Sequence, residues 1–118
     1  MQSSRPASAS SVNRITPVEL TGWLADPGRA RPVLLDVREP WEFHTCRIAD
    51  SRLIPMRDLP ARADELDAST DTVVICHHGA RSMQAAMYLE RRGFARLHNL
   101  EGGVDAWARS VDRSMPVY

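Results

Sequence analysis

The chain predicts a single α/β domain with a mostly parallel sheet and helices on both faces. Three observations carry this. The apolar runs at 33–37 and 72–75 are continuous rather than alternating, the pattern of strands covered on both sides. Helical patterns alternate with such runs along the chain, and neither a repeat nor a linker interrupts residues 13–110. A length of 118 residues with 43% apolar content suits one packed core region.

The elements follow in order. Thr16-Pro17-Val18-Glu19 has the form of a helix start, with a Thr cap, Pro at the first helical position and Glu able to reach back to the cap amide. Leu20, Trp23 and Leu24 share a face, and Asp26-Pro27-Gly28 ends the helix. Val33 to Val37 reads as a buried strand that carries Asp36 out at the carboxyl edge of the sheet. Pro40 to Thr45 predicts a short helix, and Arg52 to Ile54 a short strand before Pro55. Leu59, Ala63 and Leu66 fall on one stripe of a helix with Pro60 in its first turn. Thr72 to Cys76 is the next strand. Arg81 to Arg92 is then a helix that buries Met83, Ala86, Met87 and Leu89 and is stopped by Gly93. A last strand, Arg96 to Leu100, leads through Gly102-Gly103 into a helix whose Val104 and Trp107 pack on the sheet. Trp23, Trp41 and Trp107 all sit within apolar patterns and read as core. Residues 1–12 are expected to form a flexible N-terminal tail, and 111–118 a C-terminal extension that either docks back or dangles.

Composition narrows the function. Lys and Arg number 15 and Asp and Glu number 15, so net charge argues for neither nucleic acid nor an anionic membrane surface as partner. No apolar run approaches the ~20 residues of a membrane span, and residues 1–11 lack the apolar centre of a secretory signal. Two cysteines in unlike settings, Cys46 and Cys76, do not suggest a disulfide framework. A cytoplasmic location is expected.

The chemistry gathers at Cys76-His77-His78-Gly79-Ala80-Arg81-Ser82, between the strand ending at Ile75 and the helix that follows. A cysteine at a strand's carboxyl end sits where open α/β sheets bind ligands. It also faces a helix N-terminus, whose unpaired N–H groups and positive dipole end favour an anion. Free thiols titrate near ~8.5, and such surroundings lower this by one to several units, so a thiolate and any anion beside it are both favoured. Gly79 permits a left-handed backbone, and His77, His78 and Arg81 are costly to bury unpaired, so this is a shaped loop rather than more core. Arg81 has a forked, permanently charged head suited either to an oxyanion or to bracing the loop against Asp36 or Glu42. The two imidazoles border the pocket and add positive potential when protonated, with His78 the one expected to donate toward substrate. No metal is expected, because neighbouring residues in one tight loop should point apart and no fourth ligand is evident. His44 and His98 read as surface or half-buried structural residues. Cys46 reads as a small packing residue, with a resolving thiol for Cys76 as the alternative.

Four motifs taken together extend this reading: Ile15-Thr16-Pro17 with Glu19-Leu20; Leu35-Asp36-Val37-Arg38-Glu39 with Trp41-Glu42-Phe43; the Cys76 to Ser82 loop; and Asn99-Leu100-Glu101-Gly102-Gly103 with Trp107. In order and spacing they resemble a single-domain rhodanese-like sulfurtransferase over nearly the whole chain. The resemblance implies a five-stranded sheet and no cofactor. It implies that Cys76 takes a sulfane sulfur from a small anionic donor such as thiosulfate, becomes a persulfide, and passes it to a thiol, to cyanide, or to a protein acceptor. His77, His78, Gly79, Ala80, Arg81 and Ser82 would then bind substrate, with Asp36, Arg38 and Glu42 in supporting positions. The chain departs from the family pattern at Cys46-Arg47-Ile48 and Asp50-Ser51, where many members have Gly-His-Ile and then Gly-Ala. The departure bears on local backbone and acceptor access.

Other functions meet specific obstacles. Tyrosine-type phosphatases and some arsenate reductases use Cys-x5-Arg loops, whereas four residues separate Cys76 from Arg81. The shorter loop suits a sulfur atom better than a tetrahedral phosphoryl group, and no general acid stands beside it. Non-catalytic binding modules on this fold often lack the loop cysteine, which this chain keeps. A dedicated persulfide carrier needs the same loop and differs only in its acceptor. All of this requires the Cys76 sulfur to face the loop amides; a sulfur sealed in the core, or aimed elsewhere, would count against it.

Overall fold

The computed structural model describes residues 11–118, so most of the tail expected at 1–12 lies outside the described residues. Its strands are β1 (Asn13–Ile15), β2 (Val33–Asp36), β3 (Arg52–Leu53), β4 (Thr72–Ile75) and β5 (Leu97–Leu100), in one sheet of order β1-β5-β4-β2-β3. Every pairing is parallel, with Leu35 opposite Val74 and Val73 opposite His98. The helices are α1 (Pro17–Ala25), α2 (Pro40–Thr45), α3 (Leu59–Arg62), α4 (Ala80–Arg91) and α5 (Gly103–Ser110).

Strand alternation divides the interior into two cores. Leu34, Val73, Ile75 and Leu100 face one side and pack with Leu20 of α1 and with Val104, Trp107 and Ala108 of α5. Leu35, Val74, Cys76 and Leu97 face the other and pack with Leu59, Ala63, Ala85, Ala86 and Leu89. Cys76 therefore carries the alternation of β4 onto the α4 side. From β2 the chain leaves toward β3, and from β4 it leaves toward β5, in the opposite direction across the sheet. The gap between their carboxyl ends is the switch point where α/β sheets place ligands.

Several local readings match the structure. Thr16 caps α1 in a full capping box: its hydroxyl accepts from Glu19 N–H at 3.1 Å, and Glu19 accepts from Thr16 N–H at 2.9 Å. Others are corrected. The helix expected through Leu59, Ala63 and Leu66 is broken into a 3₁₀ turn at Met56–Asp58, one α turn at Leu59–Arg62 and a second 3₁₀ turn at Ala63–Glu65. α4 buries Ser82, Ala85, Ala86 and Leu89, whereas Met83 and Met87 are only half-buried, because the small side chains are the ones set against the sheet. Trp41 is not core: it is 62% exposed on α2. Trp107 is buried, and Trp23 is half-buried, with Arg29 over its ring at 3.6 Å and His98 edge-on at 4.8 Å. His98 itself is buried and contacts Asp71 at 3.0 Å.

The segment after α5 docks back on the domain. Met115 is buried among Val104, Trp107 and Ala108, and Tyr118 reaches the loop that follows β4. Among the described residues no helix is long and apolar enough to cross a membrane.

Candidate active site

Loop 76–79 is shaped by elements on three sides. Gly79 caps α4 with φ 109°, the left-handed conformation that favours glycine, and this turns its N–H back onto Cys76 Sγ at 3.0 Å. The thiol donates to Ser82 Oγ at 3.2 Å, and the Ser82 hydroxyl donates to Asn99 Oδ1. Asn99 also donates from Nδ2 to Gly79 O at 3.0 Å, which ties β5 to the loop. Underneath, the first turn of α5 spends its free N–H groups on the loop: Val104 N–H donates to Cys76 O at 2.9 Å and Asp105 N–H to His77 O at 3.0 Å. That approach is open only to glycine at 103, where a Cβ would lie 2.3 Å from Cys76 O and 2.5 Å from His77 O. Asn99 and Gly103 were not singled out as site residues by the sequence. A polar side chain inside an otherwise apolar strand and a paired glycine at a helix start are the signals that mark them.

The sulfur thus accepts from one main-chain N–H, that of Gly79, and donates to the Ser82 hydroxyl oxygen, instead of facing several loop amides. Cys76 is also 1% exposed and packs in the core with Leu35, Val74 and Ala85, so, against the expectation, the side chain is closed off from solvent even though Gly79 N–H is directed at it.

Arg81 does not point into open space. Its two Nη groups donate to the two Glu42 oxygens at 2.7 and 2.8 Å, joining α4 to α2. Glu42 is buried and accepts also from Glu39 N–H at 2.9 Å and Tyr118 OH at 2.9 Å. Arg81 above all, helped by the other donors, holds the Glu42 carboxyl down at about 2. Of the two partners the sequence offers Arg81, Glu42 is the one used. Asp36 is taken by Arg38, through Nε at 2.9 Å and Nη2 at 2.7 Å, both residues fully buried. Burial alone would make the Arg38 guanidinium easier to deprotonate; its bonds to Asp36 more than offset this and push it above its ordinary value. Arg38 further donates to Cys46 O at 2.6 Å and Tyr118 OH at 2.8 Å, so it links β2, the segment after α2 and the C-terminal segment.

His77 is half-buried and stacks against Tyr118, with ring centroids 3.9 Å apart and planes within 5°. Burial, and then the field of His78, lower its pKa. His78 is exposed, 4.0 Å from Asp105. Ala80 opens α4 on the exposed rim. The expectation that the imidazoles point apart is corrected: their centroids are 3.9 Å apart, because the loop curls tightly before Gly79. With Asp105 they form a cluster whose ligand atoms spread over 4.8 Å. Tetrahedral ligands at ~2.05 Å from zinc sit only ~3.3 Å apart, and both Asp105 oxygens already face Arg109, at 3.0 and 3.3 Å. The cluster is too wide and too engaged to serve as a metal cage as it stands.

Cys46 and Cys76 are both free and belong to opposite cores, so the sheet lies between the thiols. Burial and the facing Glu42 carboxylate push the Tyr118 phenol up to about 12, against the pull of Arg38.

Comparison with known proteins bears on the family. A family model for the rhodanese-like domain matches residues 16–110. The chain is 41% identical over 98 residues to a sulfurtransferase of Allochromatium vinosum, covering 83% of this chain and 90% of that protein. It is 35% identical over 78 residues to the thiosulfate sulfurtransferase GlpE of Stutzerimonas stutzeri, covering 66% of this chain and 72% of that protein. Other relatives are much longer, and the chain spans only 21% to 30% of them. Among solved structures, a rhodanese-related protein of Thermoplasma volcanium superposes with a TM-score of 0.73 at 30% identity, over 90% of this chain and 97% of that one. With the family model spanning α1 to α5 and the loop between β4 and α4, the chain belongs to the rhodanese-like sulfurtransferase family.

Proposed function

We propose that the domain moves a sulfane sulfur from a small anionic donor such as thiosulfate to a thiophilic acceptor through a persulfide on Cys76. The Cys76 thiolate attacks the outer sulfur of thiosulfate, the S–S bond breaks, and sulfite leaves with the bonding electron pair. The resulting persulfide then gives its outer sulfur to cyanide, forming thiocyanate, or to a thiol, forming a new persulfide; either step returns the Cys76 thiolate. The observation that carries the reading is the Cys76 sulfur at the switch point of the sheet with Gly79 N–H and the Ser82 hydroxyl against it. Once the thiol has lost its proton, the Ser82 hydroxyl can turn from Asn99 to donate to the sulfur, adding a second donor to the anion.

His77, His78, Gly79 and Ala80 form the rim that the donor meets. Arg81, with both Nη groups on Glu42, serves here chiefly as a brace, and Asp36 and Arg38 hold the neighbouring strand end. Two free cysteines fit a reducing compartment, the cytoplasm. The test is thiocyanate formation from thiosulfate and cyanide. Wild-type protein should turn over and Cys76→Ser should lose about 10³-fold or more. Retained turnover in that variant would refute the assignment. A wild-type protein that takes up sulfur but releases it only to a partner protein would be a carrier, and one that takes up none a binding module.

A further inference from the structure

We propose that Asn99 is a positioning residue that keeps the Ser82 hydroxyl turned away from the Cys76 sulfur and so holds the thiol in a protonated resting form, a role that rests on Cys76 being the nucleophile. Four residues close a ring of hydrogen bonds. Gly79 N–H donates to Cys76 Sγ at 3.0 Å, the thiol to Ser82 Oγ at 3.2 Å, the Ser82 hydroxyl to Asn99 Oδ1, and Asn99 Nδ2 back to Gly79 O at 3.0 Å. Cys76, Ser82 and Asn99 are 1%, 0% and 6% exposed, so solvent has little access to replace a partner that the ring loses.

The direction of every bond in the ring follows from one fixed point. Gly79 O is a carbonyl and only accepts, so the Asn99 amide must present its NH₂ there and its oxygen to Ser82. That oxygen also only accepts, and it takes the single Ser82 proton. Ser82 Oγ is then left to accept, and the hydrogen it receives is that of the Cys76 thiol. A neutral thiol therefore fits the ring with every donor matched. A thiolate does not. Once Cys76 loses its proton, Ser82 presents a lone pair to an anion, and it can donate to the sulfur only by leaving Asn99 Oδ1, which has no other donor among the described residues. Asn99 thus competes with the sulfur for one proton, and the anion gains its second donor when Ser82 turns.

The charged and titratable groups around the ring are His77 and His78 of the loop, Arg81 of α4 held by Glu42 of α2, Asp36 with Arg38 after β2, and Asp105 of α5. All are kept in the variants that test the proposal. The experiment follows the ultraviolet absorbance of the Cys76 thiolate against pH in the full chain, with Cys46→Ala so that only one thiol reports. Asn99→Ala should lower the ionisation midpoint by about one pH unit, which is about tenfold more thiolate on its acid side; Asn99→Leu, which leaves no cavity, should do the same. Because Asn99 acts through Ser82, adding Asn99→Ala to Ser82→Ala should move the midpoint by less than about a third of a unit. The acid limb of kcat/KM for thiosulfate should shift with the midpoint in Asn99→Leu. An unmoved or raised midpoint in the Asn99 variants would overturn the proposal, as would an equal shift with and without the Ser82 hydroxyl, the mark of a residue that only braces the loop. The absorbance does not depend on sulfur chemistry. A wild type that forms no thiocyanate, with the shift present in the variants, would therefore refute the sulfurtransferase reading and leave the role of Asn99 standing.

Discussion

Cys76 is the last residue of an alternating run, and that alternation aims its sulfur toward α4, where the left-handed Gly79 returns an amide to it at 3.0 Å. The chain around it divides labour among residue types that look interchangeable in the sequence. Arg81 is the clearest case. A lone arginine five residues beyond a nucleophile suggests an oxyanion ligand, yet its fork is filled by Glu42. Because Glu42 is 3% exposed and the Arg81 side chain 38% exposed, removing Arg81 strands a carboxylate that is only partly reached by water. Arg81→Ala should therefore cost about 2 kcal/mol of stability, less than for a fully buried pair, with little change in KM for thiosulfate. Urea unfolding and a thiosulfate titration check this. A raised KM with unchanged stability would instead make Arg81 a substrate ligand.

At the scale of elements, two contacts decide the shape of the site. α5 presses its first turn against the Cys76 and His77 carbonyls, which requires glycine at 103. Gly103→Ala should lose on the order of 3 kcal/mol and most of the turnover. Gly93→Ala, also at positive φ but with nothing within 4 Å of the added Cβ, should lose about 1 kcal/mol and keep its turnover. Equal effects would show that backbone strain alone, not the grip on the loop, matters at 103. The second contact is the α2–α4 tie through Glu42. A carboxyl held at about 2 against an ordinary 4.5 stabilises the fold fully above pH 4.5, and that stabilisation is lost as the pH falls through about 2. Unfolding free energies across that window should show about 2 kcal/mol that disappears in Glu42→Gln. A pH profile identical in the two proteins would contradict the tie.

The same elements show what the sequence makes legible. β4 and α4 are readable because a short apolar run meets a helical one across a glycine-containing loop, and the α1 cap because its signature is local, four residues long. The broken helix at 56–65 is not readable: its apolar stripe is right for a helix, but a stripe cannot reveal 3₁₀ turns on either side of a single α turn. Trp41 reads as core by composition and is exposed because α2 turns Glu42, not its neighbour, inward. Tyr118 escapes any local reading, since its partners His77, Glu42 and Arg38 lie 41 to 80 residues away.

Across the whole molecule, one five-stranded sheet serves two cores, and the nucleophile belongs to the core opposite the one that holds Cys46 and Met115. Because every central strand contributes to both, the cores should fail together. Leu20→Ala on one side and Leu89→Ala on the other, both 0% exposed, should each cost about 2 to 5 kcal/mol and leave a single calorimetric transition. Two separated transitions would mean the faces unfold independently. The loop itself is anchored to the shared sheet through Asn99 and to the first turn of α5. The most direct measurement of the central claim is mass spectrometry of the protein after exposure to thiosulfate. The account predicts one added sulfur on the peptide carrying Cys76, removable by cyanide. An unmodified Cys76 peptide, or a sulfur found on Cys46 instead, would contradict it.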